Sequence, residues 1–200
     1  MPRAQLVYRP DEFPGPIDKD QQQQLDALFE HMKSFAGKPE IPGTAGAFAI
    51  VARDPKLALM LLQVSDYMTK ECAWTTQRKD LRQLMIQTLN WFFKCDFNFQ
   101  SHLATAERDG ISAELQAAIP YWEVTTLFDE EQSLVIEFTL AACKGEVSDT
   151  LFARAVERFG EGGALEFTNA VAWWSFWAIV AGAVRPEHDF GHSTASRAAA

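Results

Sequence analysis

The chain is poor in the features that mark several large classes of protein. It contains only three cysteines, with no Cys-x-x-Cys pair and no Cys/His cluster of zinc-binding spacing. A sparse, odd number of cysteines is not the pattern of a secreted disulfide framework. The first 16 residues also lack the apolar core of a secretory signal peptide. Together these features predict a cytoplasmic protein.

Basic charge is scarce as well. The sequence has 18 Lys and Arg against 27 Asp and Glu, a net charge of −9, and it contains no basic run. Nucleic acids and anionic membranes are bound through clustered Lys and Arg. We therefore expect neither nucleic acid nor a membrane as a partner.

The apolar run at 170–184 is too short for a membrane span. It holds 15 residues without a charge, including Trp173, Trp174 and Trp177, whereas a span needs about 20 residues. A buried core helix is expected there. The whole chain has 15 Phe and 6 Trp, which is more than one domain of this size buries with ease. Some of these rings are therefore expected at contacts between subunits of a homo-oligomer.

Signals for the starts and ends of helices recur, while no segment alternates in the manner of a strand. Asp18 is typical of an N-cap and Gly37 of a helix end. Asp129 followed three residues later by Gln132 is a capping-box pattern. The sequence thus predicts an all-α, single-domain helical bundle of seven or eight helices.

Three segments are expected along the chain. Residues 1–17 contain four prolines, which predicts an extended N-terminal segment. Residues 18–185 are expected to form the helical domain. Pro186 ends the last helix, and residues 186–200 are expected to form a flexible C-terminal tail.

The densest group of reactive residues lies between Cys95 and His102, on a helix expected at about 96–108. Positions 95, 98, 99 and 102 share one helical face, so Cys95, Asn98 and His102 are expected to point into one pocket. The helix N-terminus favours a thiolate at Cys95. His102, titrating between about pH 5.5 and 8, suits proton transfer. The residues alone leave open a buried, inert cysteine and a structural histidine.

The run at 80–112 resembles the signature of the carboxymuconolactone decarboxylase and alkyl hydroperoxidase D-like superfamily. The matching positions are Arg82, Leu84, Ile86, Cys95, Phe97, Phe99, His102, Ala106, Gly110 and Ser112. The likeness extends over about residues 45–184. It implies an alkyl hydroperoxidase D-like fold and homo-oligomers, from dimers and trimers to hexamers. It also implies one of two chemistries: cofactor-independent decarboxylation, or peroxide reduction by a pair of cysteines.

The chain departs from both chemistries at two positions. Asn98 stands where the peroxidases have their second cysteine and decarboxylase-like members often have Glu, and Gln83 stands where an upstream Glu is expected. His102 is then the only clear acid/base group of the motif. The first hypothesis is therefore a decarboxylase-like lyase that acts by proton transfer on a small aromatic-derived or lactone-type acid. The alternatives are a thiol peroxidase-type oxidoreductase using Cys95, or a non-catalytic binding member.

Under the first hypothesis no cofactor and no metal is expected. The catalytic residues are His102 and Cys95, and the residues expected to bind substrate are Asn98, Phe99, Gln83 and Trp91. The role of Gln83 comes from the resemblance alone, because Gln83, Gln87 and Asn90 repeat at a spacing that indicates a solvated helix face. His188, Asp189 and His192 include types of residue that bind metals, but a metal site is not expected there.

Overall fold

The computed structural model describes residues 2–188 and residue 190. These residues form nine α-helices and no β-strand, which confirms the all-α prediction. The helices are α1 Lys19–Ala36, α2 Gly46–Val51, α3 Pro55–Lys70, α4 Ala73–Gln77, α5 Lys79–Phe92, α6 Asp96–Arg108, α7 Ala113–Ala118, α8 Glu130–Lys144 and α9 Asp149–Val184. Seven or eight helices were expected. Helix α4 was not among the expected helices, because it is only five residues long and begins without a side-chain cap.

The predicted caps are present. Asp18 accepts a hydrogen bond from the Gln21 N–H at 2.8 Å, and α1 ends at Gly37 with φ of 75°. At α8, Asp129 and Gln132 form the reciprocal capping box, with distances of 2.7 and 3.1 Å. Each cap satisfies backbone N–H groups that have no partner inside the helix. These signals are local, and that is why they could be recognised in the sequence.

Helix α9 is much longer than the core helix expected at 170–184. It runs from Asp149 to Val184, and only Gly160, with φ of 74° and ψ of 165°, departs from helical geometry. It is the one helix among the described residues with the length and composition to cross a membrane, with a mean hydropathy of 1.3 over its most apolar window. A third of that window is buried, so the expected core helix is buried on one face only.

The chain divides into two compact units, residues 1–66 with 183–200, and residues 67–182. In the first unit, the N-terminal segment is held by backbone hydrogen bonds of 2.9 Å from Val7 to Ala49 and from Ile41 to Tyr8. The division expected from the sequence, at 17 and 185, stays a prediction. Residue 189 and residues 191–200 of the predicted tail, including His192, lie outside the described residues.

The second unit is built around α5, which packs against α6 and α8. Five apolar side chains of α5 are at most 1% exposed: Leu81, Leu84, Met85, Ile86 and Leu89. Next to them, Trp74 stacks on Phe167 with ring centroids 4.4 Å apart, and Phe138 lies 4.7 Å from the same ring. This packing fixes α5, whose polar side chains then face α6.

Candidate functional site

The predicted site residues lie on α5 and α6. Residues 93–95 join the two helices, and the Cys95 N–H donates to the Asn90 carbonyl at 2.9 Å. Lys94 has φ of 54°, a left-handed conformation that lets the chain reverse within a few residues. A connection this short makes consecutive helices neighbours, so the start of α6 lies beside the end of α5.

His102 is held by a short chain of hydrogen bonds. Its Nδ1 lies 3.0 Å from Gln83 Oε1, and Gln83 Nε2 donates to Asp109 Oδ2 at 3.3 Å. An amide oxygen only accepts hydrogen bonds, so Nδ1 of a neutral His102 carries the proton. Nε2 is then the atom with a free lone pair, and no described residue donates a hydrogen bond to it. The side chain is therefore oriented as a base.

A buried ion pair lies beside this histidine. Arg82 Nη2 is 3.3 Å from Asp109 Oδ2, and the two side chains are only 11% and 8% exposed. Arg82 Nε is buried and has no hydrogen-bond partner among the described residues. Burial lowers the pKa of Arg82, and the charge of Asp109 opposes that shift. The histidine thus has a cation close by that is incompletely hydrogen-bonded.

The pKa of His102 is lowered to about 4, first by burial and then by the charge of Arg82, while Asp109 acts in the opposite direction. The expected titration between about pH 5.5 and 8 is therefore wrong. The sequence reasoning used the reference value of an exposed imidazole and had no information on burial. At neutral pH the ring is uncharged and its Nε2 is able to accept a proton.

Cys95 is placed at the N-cap of α6, as expected, but it is not a thiolate. Its side chain is 2% exposed, and burial raises the pKa of the thiol. A backbone hydrogen bond from Asn98 opposes this shift, and the charge of Asp96 adds to it. The expectation of an activated thiol is wrong because the loss of hydration outweighs the favourable field of the helix end.

The remaining site residues separate into two neighbouring groups. Cys95, Phe99 and Trp91 line an open groove of about 530 Å³, together with Asn90, Phe92, Lys94 and Asp96; we call it the Trp91 groove. Gln83 binds His102 instead. Asn98 is 8% exposed and is not among the groove-lining residues. Phe99 and His102 are three residues apart on α6, so the groove and the histidine are adjacent on one helix.

The expected solvated stripe on α5 is buried. Gln83, Gln87 and Asn90 are 2%, 0% and 1% exposed, because α6 packs over them. Gln87 Nε2 donates to Gln116 Oε1 at 2.7 Å and to the Phe99 carbonyl at 3.2 Å. The sequence carried no signal for this burial, because a polar stripe on an amphipathic helix has the pattern of a solvated face.

The residues of the candidate site that were not recognised from the sequence include Asp109 and Asn90. Asp109, which orients Gln83, lies among charged residues at the end of α6 and carries no pattern of its own. Asn90 appeared only as part of the stripe. Among the described residues, no three His, Cys, Asp or Glu side chains are grouped to hold a metal ion. Asp189 and His192 lie outside the described part of the chain.

Comparison with protein-family models gave no match, and neither curated proteins nor solved structures gave one. The description of the site therefore depends on its own geometry.

Proposed function

We propose that the protein is a cofactor-independent, decarboxylase-like lyase that acts by proton transfer on a small aromatic-derived or lactone-type acid. The observation that carries the proposal is the 3.0 Å contact between His102 Nδ1 and Gln83 Oε1. This contact places the proton on Nδ1, so the unprotonated Nε2 points away from Gln83. The resemblance of residues 80–112 to the carboxymuconolactone decarboxylase and alkyl hydroperoxidase D-like superfamily supports the choice of reaction.

The lowered basicity of His102 suits this chemistry. Carboxylic acids have a pKa near 4, and so does this imidazolium, so a substrate carboxylate that is bound together with one proton from solvent shares this proton with Nε2 at little cost in free energy. Loss of CO₂ breaks a carbon–carbon bond and leaves its electron pair on an enolate. Nε2–H then returns the proton to carbon. An imidazolium of this pKa is a stronger donor than an ordinary one.

Arg82 is proposed to stabilise the enolate. Its charge acts on His102, and its Nε–H is buried without a partner among the described residues. A fixed positive charge in a dry surrounding favours a developing anion more than water does. The rings of Phe99 and Trp91, in the adjacent groove, are proposed to hold the apolar part of the substrate.

The peroxidase alternative has less support from the geometry. A peroxidatic cysteine must be a thiolate and must be reached by peroxide. Cys95 is 2% exposed, and its pKa is raised. The non-catalytic alternative differs from the lyase in one measurable respect, since such a protein binds ligands without turning them over.

The lyase proposal is tested by incubating the protein with a panel of lactone-type and aromatic-derived acids in D₂O. EDTA is present, and thiols and peroxides are absent. We expect release of CO₂ and a deuterium at the carbon that carried the carboxyl group, detected by NMR. In a parallel assay with hydroperoxide and a dithiol we expect negligible turnover. Peroxide consumption without decarboxylation favours the second function, and binding without any turnover favours the third.

We further propose a homo-oligomer, because large apolar side chains remain uncovered. Met60, Leu165 and Ile179 are 57%, 51% and 55% exposed. A second copy of the chain is the partner that the sequence predicts for such side chains. Light scattering in buffer without detergent should give a dimer or a larger oligomer. A monomer at micromolar concentration would contradict this proposal. So would a protein that stays in solution only when detergent is added, because its apolar surface would then bind detergent or lipid instead of a second copy.

A further inference from the structure

The amide of Gln83 bridges two residues on one face of α6. His102 and Asp109 are seven residues apart on this helix and its C-cap, so their side chains lie on the same side. Gln83 reaches them from α5. Its Oε1 is 3.0 Å from His102 Nδ1, and its Nε2 donates to Asp109 Oδ2 at 3.3 Å. Gln83 is only 2% exposed, so both contacts are shielded from water.

The direction of this amide is decided at its Asp109 end. A carboxylate accepts hydrogen bonds and donates none, whereas the Nδ1 of a neutral imidazole does either, depending on the tautomer. Gln83 Nε2 therefore faces Asp109, and Oε1 faces the ring. The hydrogen bond at one ring nitrogen determines which of the two carries the proton. An amide turned the other way would donate to Nδ1 and place the proton on Nε2.

The side chain of Asp109 is held at both of its oxygens. Oδ2 also accepts from Arg82 Nη2 at 3.3 Å, and Oδ1 accepts from Arg108 Nε at 3.2 Å. The Asp109 N–H donates to the Thr105 carbonyl at 3.0 Å, which fixes the backbone at the end of α6. The side chain is 8% exposed. Asp109 is therefore a fixed acceptor that does not turn away from Gln83.

We propose that Asp109 is a positioning residue that acts through Gln83 to select Nε2 of His102 as the reacting nitrogen. The catalytic consequence of this selection rests on the proposed lyase function. The tautomer itself is a property of the protein without substrate, so it is open to a separate measurement.

The amide also keeps the carboxylate out of direct contact with the ring. A carboxylate bound directly to an imidazole favours the charged ring. Here Asp109 acts on the pKa of His102 in that direction, but burial and the charge of Arg82 outweigh it and hold the pKa at about 4. The chain of contacts thus orients the ring and leaves it uncharged at neutral pH, as a base requires.

The inference is tested by ¹⁵N NMR of histidine-labelled protein at about pH 7, which distinguishes the two neutral tautomers. The signals of His102 are those absent from His102→Leu. In the wild type the Nδ1–H form should exceed the Nε2–H form by about fivefold or more, the bias that one hydrogen bond supplies. Asp109→Ala should reverse the preference, because Arg82 Nη2, which shares Oδ2 with the amide, then attracts Gln83 Oε1.

Two matched variants separate positioning from a general structural role. Asp109→Asn retains an oxygen that accepts from both Arg82 and Gln83, so it should keep the Nδ1–H form. Arg108→Gln removes a contact at the other carboxylate oxygen, from a side chain that is 71% exposed, and should keep it as well. With a decarboxylated substrate, Asp109→Ala should lower kcat and leave KM nearly unchanged, because the Trp91 groove is intact.

Gln83→Met covers the case in which Asp109→Ala does not fold. It leaves the ion pair of Arg82 and Asp109 in place and removes only the amide, so the preference for Nδ1–H should be lost. An Nε2–H ring in the wild type, or an unchanged tautomer in Asp109→Ala or Gln83→Met, would overturn the inference, as would a reversed one in Asp109→Asn. No turnover is needed for the tautomer. A ring that responds to Asp109 in a protein without lyase activity would refute the proposed reaction alone.

Discussion

If the proposed lyase reaction is correct, His102→Ala is expected to lower its turnover by about 10²- to 10⁴-fold, the usual contribution of one general acid/base group. The reason is positional as well as chemical. The Gln83 contact at 3.0 Å fixes the tautomer and therefore leaves the lone pair on Nε2. No other proposed site residue has an imidazole that could replace it as the base. His102→Gln should be nearly as impaired, because an amide forms hydrogen bonds but does not carry a proton. Cys95→Ala should cost less than either.

The matched control is His31→Ala. His31 belongs to the first unit, where it lies 3.8 Å from Asp66 with its side chain 34% exposed, and it is not one of the proposed catalytic or substrate-binding residues. Its loss should leave the rate unchanged. Turnover is measured with the substrate identified in the D₂O assay. A His102→Ala enzyme that works at the wild-type rate would make His102 structural and refute the site.

Acid should destabilise the protein through His102 by about 2 kcal/mol between pH 7 and 4.5. The pKa of this histidine falls from 6.5 to about 4 on folding. Between these two values the unfolded chain binds more protons than the folded one. Stability is therefore fully present above pH 6.5 and is lost as the pH falls towards 4. The pKa of Glu131 is lowered to about 2, chiefly by its hydrogen bond with Arg78. The stability that this carboxylate contributes is therefore lost mainly below pH 4.5, outside the range used for His102.

The measurement is the free energy of unfolding by urea at the two pH values. In His102→Leu the difference between them should shrink by about 2 kcal/mol relative to wild type. An NMR titration of the His102 ring supplies an independent check of the same pKa. A ring that titrates near 6.5, or a Leu variant with an unchanged pH dependence, would show that the histidine is not desolvated.

Local signals in the sequence predicted much of the helical framework. Asp18, Gly37 and Asp129 act within a few residues of themselves, so their roles follow from neighbouring residues alone. The start of α6 at Asp96 was found in the same way. Helix α4 was not found, since five residues without a cap form a helix only when the surrounding structure holds them.

The chemical state of the site depended on tertiary contacts that no local pattern contains. Whether Cys95 is a thiolate depends on the hydration that it loses, and whether His102 is charged depends on Arg82 and on burial. The amides at Gln87 and Asn90 have the spacing of an exposed face, and only the packing of α6 reveals that they are buried. The sequence thus indicated the helix that carries these residues, but neither how their side chains group nor which of them are protonated.

At Gly160 the backbone of α9 adopts torsion angles that are disfavoured for L-amino acids. A side chain there would meet no atom within 4 Å, so the constraint on this position is torsional rather than steric. A backbone with φ of 74° and ψ of 165° is the mirror image of an extended conformation that L-residues adopt readily. The position therefore has the handedness of a D-amino acid. Glycine is the one genetically encoded residue without a chiral Cα, so it is the residue that adopts this conformation without strain. It separates the first part of α9, where Arg158 forms an ion pair with Glu131 at 2.6 Å, from the apolar second part.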